Sequence, residues 1–290
     1  MLKPLLCLLA LSVAAPALAQ GASDRAPGEA RKTVSAPALV ARYGPDSLQH
    51  GELRLPAGKG PFPVAVVIHG RCWLSTMGNA SGTAALADAL TARGIATWNL
   101  EYRRLGDAGG GYPGSFDDIA AGIDHLRTLA DTQPLDLKRM VLVGHASGAH
   151  LALWAASRPR LGGAVGADPL IPRSVVAIDG PGALAPLIGP DAERCGQPVI
   201  VRFMGGTPAE RPEAYAFATP QDHLPLGVPQ FMIVGDRGAL IERYVAAARA
   251  AGDAVTVLTP GGGDHFNVIA PATPQGRDVI DFIVRQALPR

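Results

Sequence analysis

The sequence predicts an α/β domain: a mostly parallel sheet with helices on both faces and a short lid segment. Three observations carry that expectation. Short β-branched apolar runs recur from about residue 50 onward, amphipathic stretches alternate with them, and the 290-residue chain is long enough to bury a large core. Hydrophobic residues make up 48 % of the chain and charged residues 18 %, the balance of a globular protein rather than a disordered one.

The elements follow in order. Lys3, the apolar run Leu5–Val13 and the exit Ala17-Leu18-Ala19 have the layout of a secretory signal peptide over residues 1–19. Cleavage after Ala19 implies a secreted or periplasmic product with no membrane attachment. Residues 20–34, rich in Gly, Ala, Ser and Pro, read as a flexible leader to a domain spanning residues 35–290. Around Val34–Arg42 and His50–Leu55 antiparallel edge strands are predicted. Pro63–Ile68 is a continuous β-branched run, as expected of a strand covered on both faces. Further strands are predicted at Ala96–Leu100, Met140–Val143, Ser174–Ile178, Phe231–Val234 and Val255–Leu258. Between and after them, helical periodicity marks Thr83–Arg93, Phe116–Leu129, Gly148–Ala156, Ile241–Ala251 and Arg277–Leu288. Residues 181–229 lack sustained periodicity and are rich in Pro and Gly, which suits a lid or cap better than a connector.

In an open parallel sheet, ligands bind beyond the carboxyl ends of the strands. The predicted strand exits bring His69-Gly70-Arg71-Cys72-Trp73, Glu101–Arg104, Gly144–Gly148, Asp179-Gly180, Gly235–Gly238 and Pro260–His265 to one side. Three of these stretches form a pattern: His69-Gly70-x-x-Trp73, Gly144-His145-x-x-Gly148-Ala149-His150-Leu151-Ala152, and Asp264-His265-Phe266. In that order they resemble the α/β-hydrolases related to kynurenine formamidase and small carboxylesterases, over roughly residues 45–288. The resemblance implies the α/β-hydrolase fold, a small acyl substrate, and a Ser-His-acid site with backbone N–H groups for the oxyanion.

His265, after a glycine-rich turn, matches the histidine. The nucleophile departs from the pattern. The elbow motif Gly-x-Ser-x-Gly needs glycines two places either side of the apex, and Gly144 and Gly148 centre the turn on Ala146. A shifted elbow instead presents Ser147. For the acid, Asp236 is the nearest carboxylate to the family's position, and Asp179, at the end of the preceding strand, is the alternative. Gly70, Arg71, Trp73 and Ala146 are expected around the oxyanion pocket. Relatives commonly carry glycine where Arg71 stands, and its side chain suits a substrate carboxylate or a salt bridge across the site; a solvent-facing arginine is the plain reading. Trp73 serves as pocket wall or as core, His150 as a packed residue, and Tyr102-Arg103-Arg104 as structural ion pairing. Loss of Cys7 with the signal leaves Cys72 and Cys195 as a disulfide candidate.

A formal charge of +1 offers nucleic acid no electrostatic footprint. No metal-ligand spacing and no phosphate loop is present, so no metal and no cofactor is expected. Three functions are consistent with these residues. One is a secreted hydrolase of small carboxylic esters or amides using Ser147, His265 and Asp236. Another is a catalytically degenerate relative, with Ala146 at the nucleophile position, that binds a small molecule or a protein. In the third, His265 activates water directly.

Overall fold

The computed structural model describes residues 34–288. The expected signal segment, 1–19, and the leader before Val34 lie outside the described residues. Strands β1 (Leu39–Arg42), β2 (His50–Arg54), β3 (Phe62–Ile68), β4 (Ala96–Leu100), β5 (Leu135–His145), β6 (Ser174–Ile178), β7 (Gln230–Ile233) and β8 (Val255–Leu258) form one eight-stranded sheet, in the order β1-β2-β4-β3-β5-β6-β7-β8. β1 and β2 are antiparallel to their neighbours, and every pair from β4 to β8 is parallel. This is the α/β-hydrolase fold.

The β-branched run in β3 behaves as its sequence requires. Val64, Val66 and Ile68 enter the hydrophobic cluster on one face, while Ala65 and Val67 enter the cluster on the other. A strand alternates its side chains across the sheet, so only an unbroken apolar run satisfies both faces. Helices α1 (Ala84–Thr91), α2 (Gly114–Asp124), α3 (Leu126–Ala130), α4 (Ser147–Ser157) and α5 (Ala164–Ala167) come from the first part of the chain. Short α6 (Pro190–Cys195), α7 (Ile200–Met204) and α8 (Pro212–Ala218) follow, then α9 (Gly238–Ala250) and α10 (Pro274–Phe282). Leu86 and Leu90 of α1 share one cluster with Val279 and Ile280 of α10. The opposite face takes Phe116 and Ile119 of α2, Leu151 and Trp154 of α4, and Ile241 and Tyr244 of α9.

Several elements differ in their bounds from the sequence expectation, β7, α9 and α10 each starting earlier than expected. The single helix expected over 116–129 is divided at His125 into α2 and α3, although the buried series Phe116, Ile119, Ile123, Leu126, Leu129 continues through the break. β5 starts at Leu135, well before the apolar run, because Asp136, Lys138 and Arg139 lie at its less buried beginning. The 181–229 segment contains α6, α7 and α8 with two 3-10 turns, each too short to show periodicity.

Sheet order places the functional region. From β3 the chain steps outward to β4 and then returns across β3 to β5. That reversal opens a crevice at the carboxyl ends of β3 and β5. The two turns that emerge there are His69–Trp73 and Gly144–Gly148.

Candidate active site

The turn after β5 is decided by sterics. Ala146 has φ 53° and ψ −118°, and its amide donates to Ile178 O at 2.8 Å. A Cβ on residue 144 would lie 2.1 Å from Gly148 O, and one on residue 148 would lie 2.2 Å from Ile68 O. Only glycine fits at either position, so the apex is Ala146. Ser147 is the first residue of α4 and is buried. Its Oγ accepts a 3.2 Å hydrogen bond from the Trp73 amide, and it forms no hydrogen bond with His265. As the first helical residue, Ser147 also has an amide without an intrahelical acceptor.

His265 follows β8 and is held from two sides. Its Nδ1 lies 2.7 Å from Asp179 Oδ2, and its carbonyl accepts from His145 Nε2 at 2.7 Å. Burial, with the nearby His265 charge adding to it, lowers the His145 pKa to about 3, so that ring is neutral and Nε2–H is the donor. Asp179, the residue after β6, has φ 48° and meets the imidazole, and it also accepts from the amides of Gly235 and Arg237. Burial works against its ionisation. The His265 hydrogen bond, these amides and the His265 charge outweigh burial and hold the carboxyl below its usual range. An ionised carboxylate only accepts, so the hydrogen bond places a proton on His265 Nδ1, and whenever the ring is neutral Nε2 presents a lone pair. Arg237 Nε lies 3.0 Å from Nδ1 and 3.7 Å from Asp179 Oδ2. With Nδ1 protonated, that guanidinium acts on Asp179 rather than donating to the ring. Among the described residues nothing hydrogen-bonds Nε2.

The structure therefore corrects the first choice of acid. Asp236 is 57 % exposed and pairs loosely with Arg237 at 3.8 Å, while the fully buried Asp179 meets the imidazole. Of the two elbow readings, the geometry selects the one centred on Ala146, and Ser147, the candidate catalytic serine of the shifted reading, lies in the first turn of α4 with no hydrogen bond to His265. Asp179, Asp236 and His265 have ligand atoms close enough to surround a cation. Arg237 already places a positive charge beside them, which opposes that use.

The turn after β3 is left-handed at three successive residues: Arg71 at φ 81°, Cys72 at 58° and Trp73 at 54°. Gly70 lies against the elbow, where a Cβ would come within 2.8 Å of Ala146 Cβ. Trp73 is both crevice wall and core, packing against Phe203 at 5.6 Å and His150 at 5.5 Å. His150 is buried and pairs with Ala218 O at 2.7 Å. Arg71 stacks its guanidinium over Phe266, 4.7 Å from the ring centre. Cys72 and Cys195 are joined in a disulfide that ties this turn to α6. Beneath the site, Glu101 accepts from His69 Nε2 at 3.0 Å and from the Ala80 amide at 2.9 Å. Burial pushes the Glu101 pKa up, but His69, the Ala80 amide and Arg104 outweigh it and hold it at about 2. Arg103 forks onto Asp118 through Nε at 2.8 Å and Nη2 at 2.6 Å. Sequence reasoning missed Arg237 and Arg194, both of which line the crevice. Arg237 stood in plain view beside Asp236 at a strand exit.

The family model BD-FAE matches residues 52–243. The chain belongs to the BD-FAE family. No curated protein is significantly similar to it in sequence. Among solved structures, a truncated carbohydrate esterase from gut microbiota superposes with a TM-score of 0.70 at 21 % identity, covering 90 % of this chain and 99 % of that one. Esterase B from Lactobacillus rhamnosis gives 0.70 at 18 % identity, over 88 % and 87 %. A propionate-bound esterase from Thermogutta terrifontis gives 0.69 at 18 %, over 87 % and 96 %. At such identities the likeness shows the fold that this BD-FAE member shares with them.

Proposed function

We propose that this BD-FAE protein hydrolyses small carboxylic esters outside the cytoplasm, with His265 acting as general base on water rather than on a serine. One observation carries the reading: an imidazole oriented by Asp179 at 2.7 Å, its Nε2 free, at an elbow whose apex is Ala146. Esterase names among the solved neighbours support the substrate class, and the signal-like start and the disulfide support the compartment.

The water oxygen attacks the acyl carbon while His265 Nε2 takes one of its protons. Asp179 stabilises the imidazolium that forms. The Ser147 amide stabilises the oxyanion, the role that the residue after the apex has in this fold. The ester C–O bond then breaks, and the proton on Nε2 passes to the departing alkoxide, giving an acid and an alcohol. Without a covalent nucleophile, the remaining oxyanion and binding contributions sustain about 10³–10⁴-fold over water. A second reading, in which a ligand is held and never turned over, rests on Ala146 alone.

Turnover of 4-nitrophenyl acetate and labelling by a fluorophosphonate separate these readings. The expected result is turnover above buffer, lost in His265→Ala, with no labelling until Ala146→Ser supplies a hydroxyl. Labelling of the unaltered protein that disappears in Ser147→Ala establishes an acyl-enzyme on Ser147 and refutes the water route. Turnover no faster than buffer leaves the binding-only reading.

A further inference from the structure

The crevice holds more positive charge than its chemistry uses. Arg71, Arg194 and Arg237 line it, against Asp179 and Asp191. Both carboxylates are committed. Asp179 serves His265 and two amides, and Asp191 accepts from the amides of Gly189, Val199 and Ile200. Among the described residues Arg71 and Arg194 have no ion-pair partner. Arg194 lies close enough to Arg237 for the two positive charges to repel.

These arginines are placed by the fold. Arg71 sits at φ 81°, where the backbone favours glycine. Its stem lies against Gly78, where a Cβ would come within 2.5 Å of Arg71 Cγ, and its guanidinium rests on Phe266, the residue after the catalytic imidazole. The bridge Cys72–Cys195 joins the immediate neighbours of Arg71 and Arg194, with Cα atoms 5.9 Å apart. The cross-link therefore fixes two cationic residues on the same wall, beside an exposed phenylalanine. Both arginines are exposed at the crevice, so an anion entering it meets two guanidinium groups without an ion-pair partner, and a carboxylate matches the fork of each.

We infer that the crevice recognises small esters bearing a second, free carboxylate, such as half-esters of dicarboxylic acids. Arg71 and Arg194 hold that carboxylate while the ester group lies toward His265. The inference deepens the proposed hydrolysis at the same site and takes the occupant's class from it, but its test is one of binding.

Calorimetric titration with glutarate, and with dimethyl glutarate as the uncharged counterpart, reads it directly. Glutarate is expected to bind at least about tenfold more tightly than the diester. The double variant Arg71→Gln/Arg194→Gln abolishes that preference, and Arg71→Lys retains part of it. Raising NaCl from about 0.02 to about 0.5 M weakens glutarate and leaves the diester nearly unaffected in the unaltered protein. Equal affinity for the two ligands, or an undiminished preference in the double variant, overturns the inference. Should glutarate bind as expected while monomethyl glutarate is not hydrolysed, the hydrolytic reading falls and the recognition stands. Hydrolysis of neutral esters without any glutarate preference gives the converse.

Discussion

Replacing Cys72 and Cys195 together with serine tests how the crevice wall is held. The bridge closes a loop across a sequence separation of 123 residues. Chain entropy for a loop of that size is about 16 cal/mol/K, or about 5 kcal/mol at 25 °C. Residual order in the unfolded chain reduces this to about 3–5 kcal/mol. A domain of this size shifts its midpoint by about 2–4 °C per kcal/mol, so scanning calorimetry is expected to show a fall of about 6–20 °C. Treating the unaltered protein with a phosphine reductant should give a similar fall. Loss of the bridge also frees three successive left-handed residues, Arg71–Trp73, from their anchor on α6. Glutarate affinity should therefore fall along with stability. A midpoint lowered by less than about 3 °C refutes the reasoning, because the turn and α6 would then be held together by packing alone.

Two further outcomes follow from the buried groups. Asp179→Asn is expected to bring ester turnover down to the level of His265→Ala, with Asp236→Asn having the smaller effect; the reverse order makes Asp236 the working acid. For stability against pH, burial holds His145 at about 3 and His150 at about 4, against 6.5 for a histidine in the unfolded chain. Both folded values are depressed, so the unfolded state binds protons first as pH falls, and stability present above 6.5 is lost toward 4. The steepest loss from the pair is about 2.7 kcal/mol per pH unit, and urea midpoints that stay level between pH 7 and 5 contradict it.

The inner strands were legible because they are covered on both faces, and the half-exposed edge strand Val255–Leu258 because its run is β-branched. Ala96–Leu100, Ser174–Ile178 and Val255–Leu258 appear in the structure with the bounds their sequence runs suggest. The elbow apex was legible as well, since the close approaches that demand Gly144 and Gly148 are local to the turn. The acid was not. Asp179 and His265 are 86 positions apart, and Asp179 meets the imidazole from a left-handed position just after β6. Asp236 had the nearer strand exit, and no pattern in the chain reveals that its carboxylate faces water. Helices of α6–α8 length complete at most two turns and leave no periodic trace. The pairing of Arg71 with Phe266 was equally hidden, because it joins loops from opposite ends of the chain.

Residue 146 keeps φ 53° and ψ −118° although a methyl group has nothing to offer an ester there. Such a bend costs an L-residue about 1–3 kcal/mol, and the surrounding structure bears it whichever side chain is present. Alanine and serine codons differ by a single first-position base (GCN against TCN). A lineage with this scaffold thus stands one nucleotide from a hydroxyl at the apex, with the backbone for it already built.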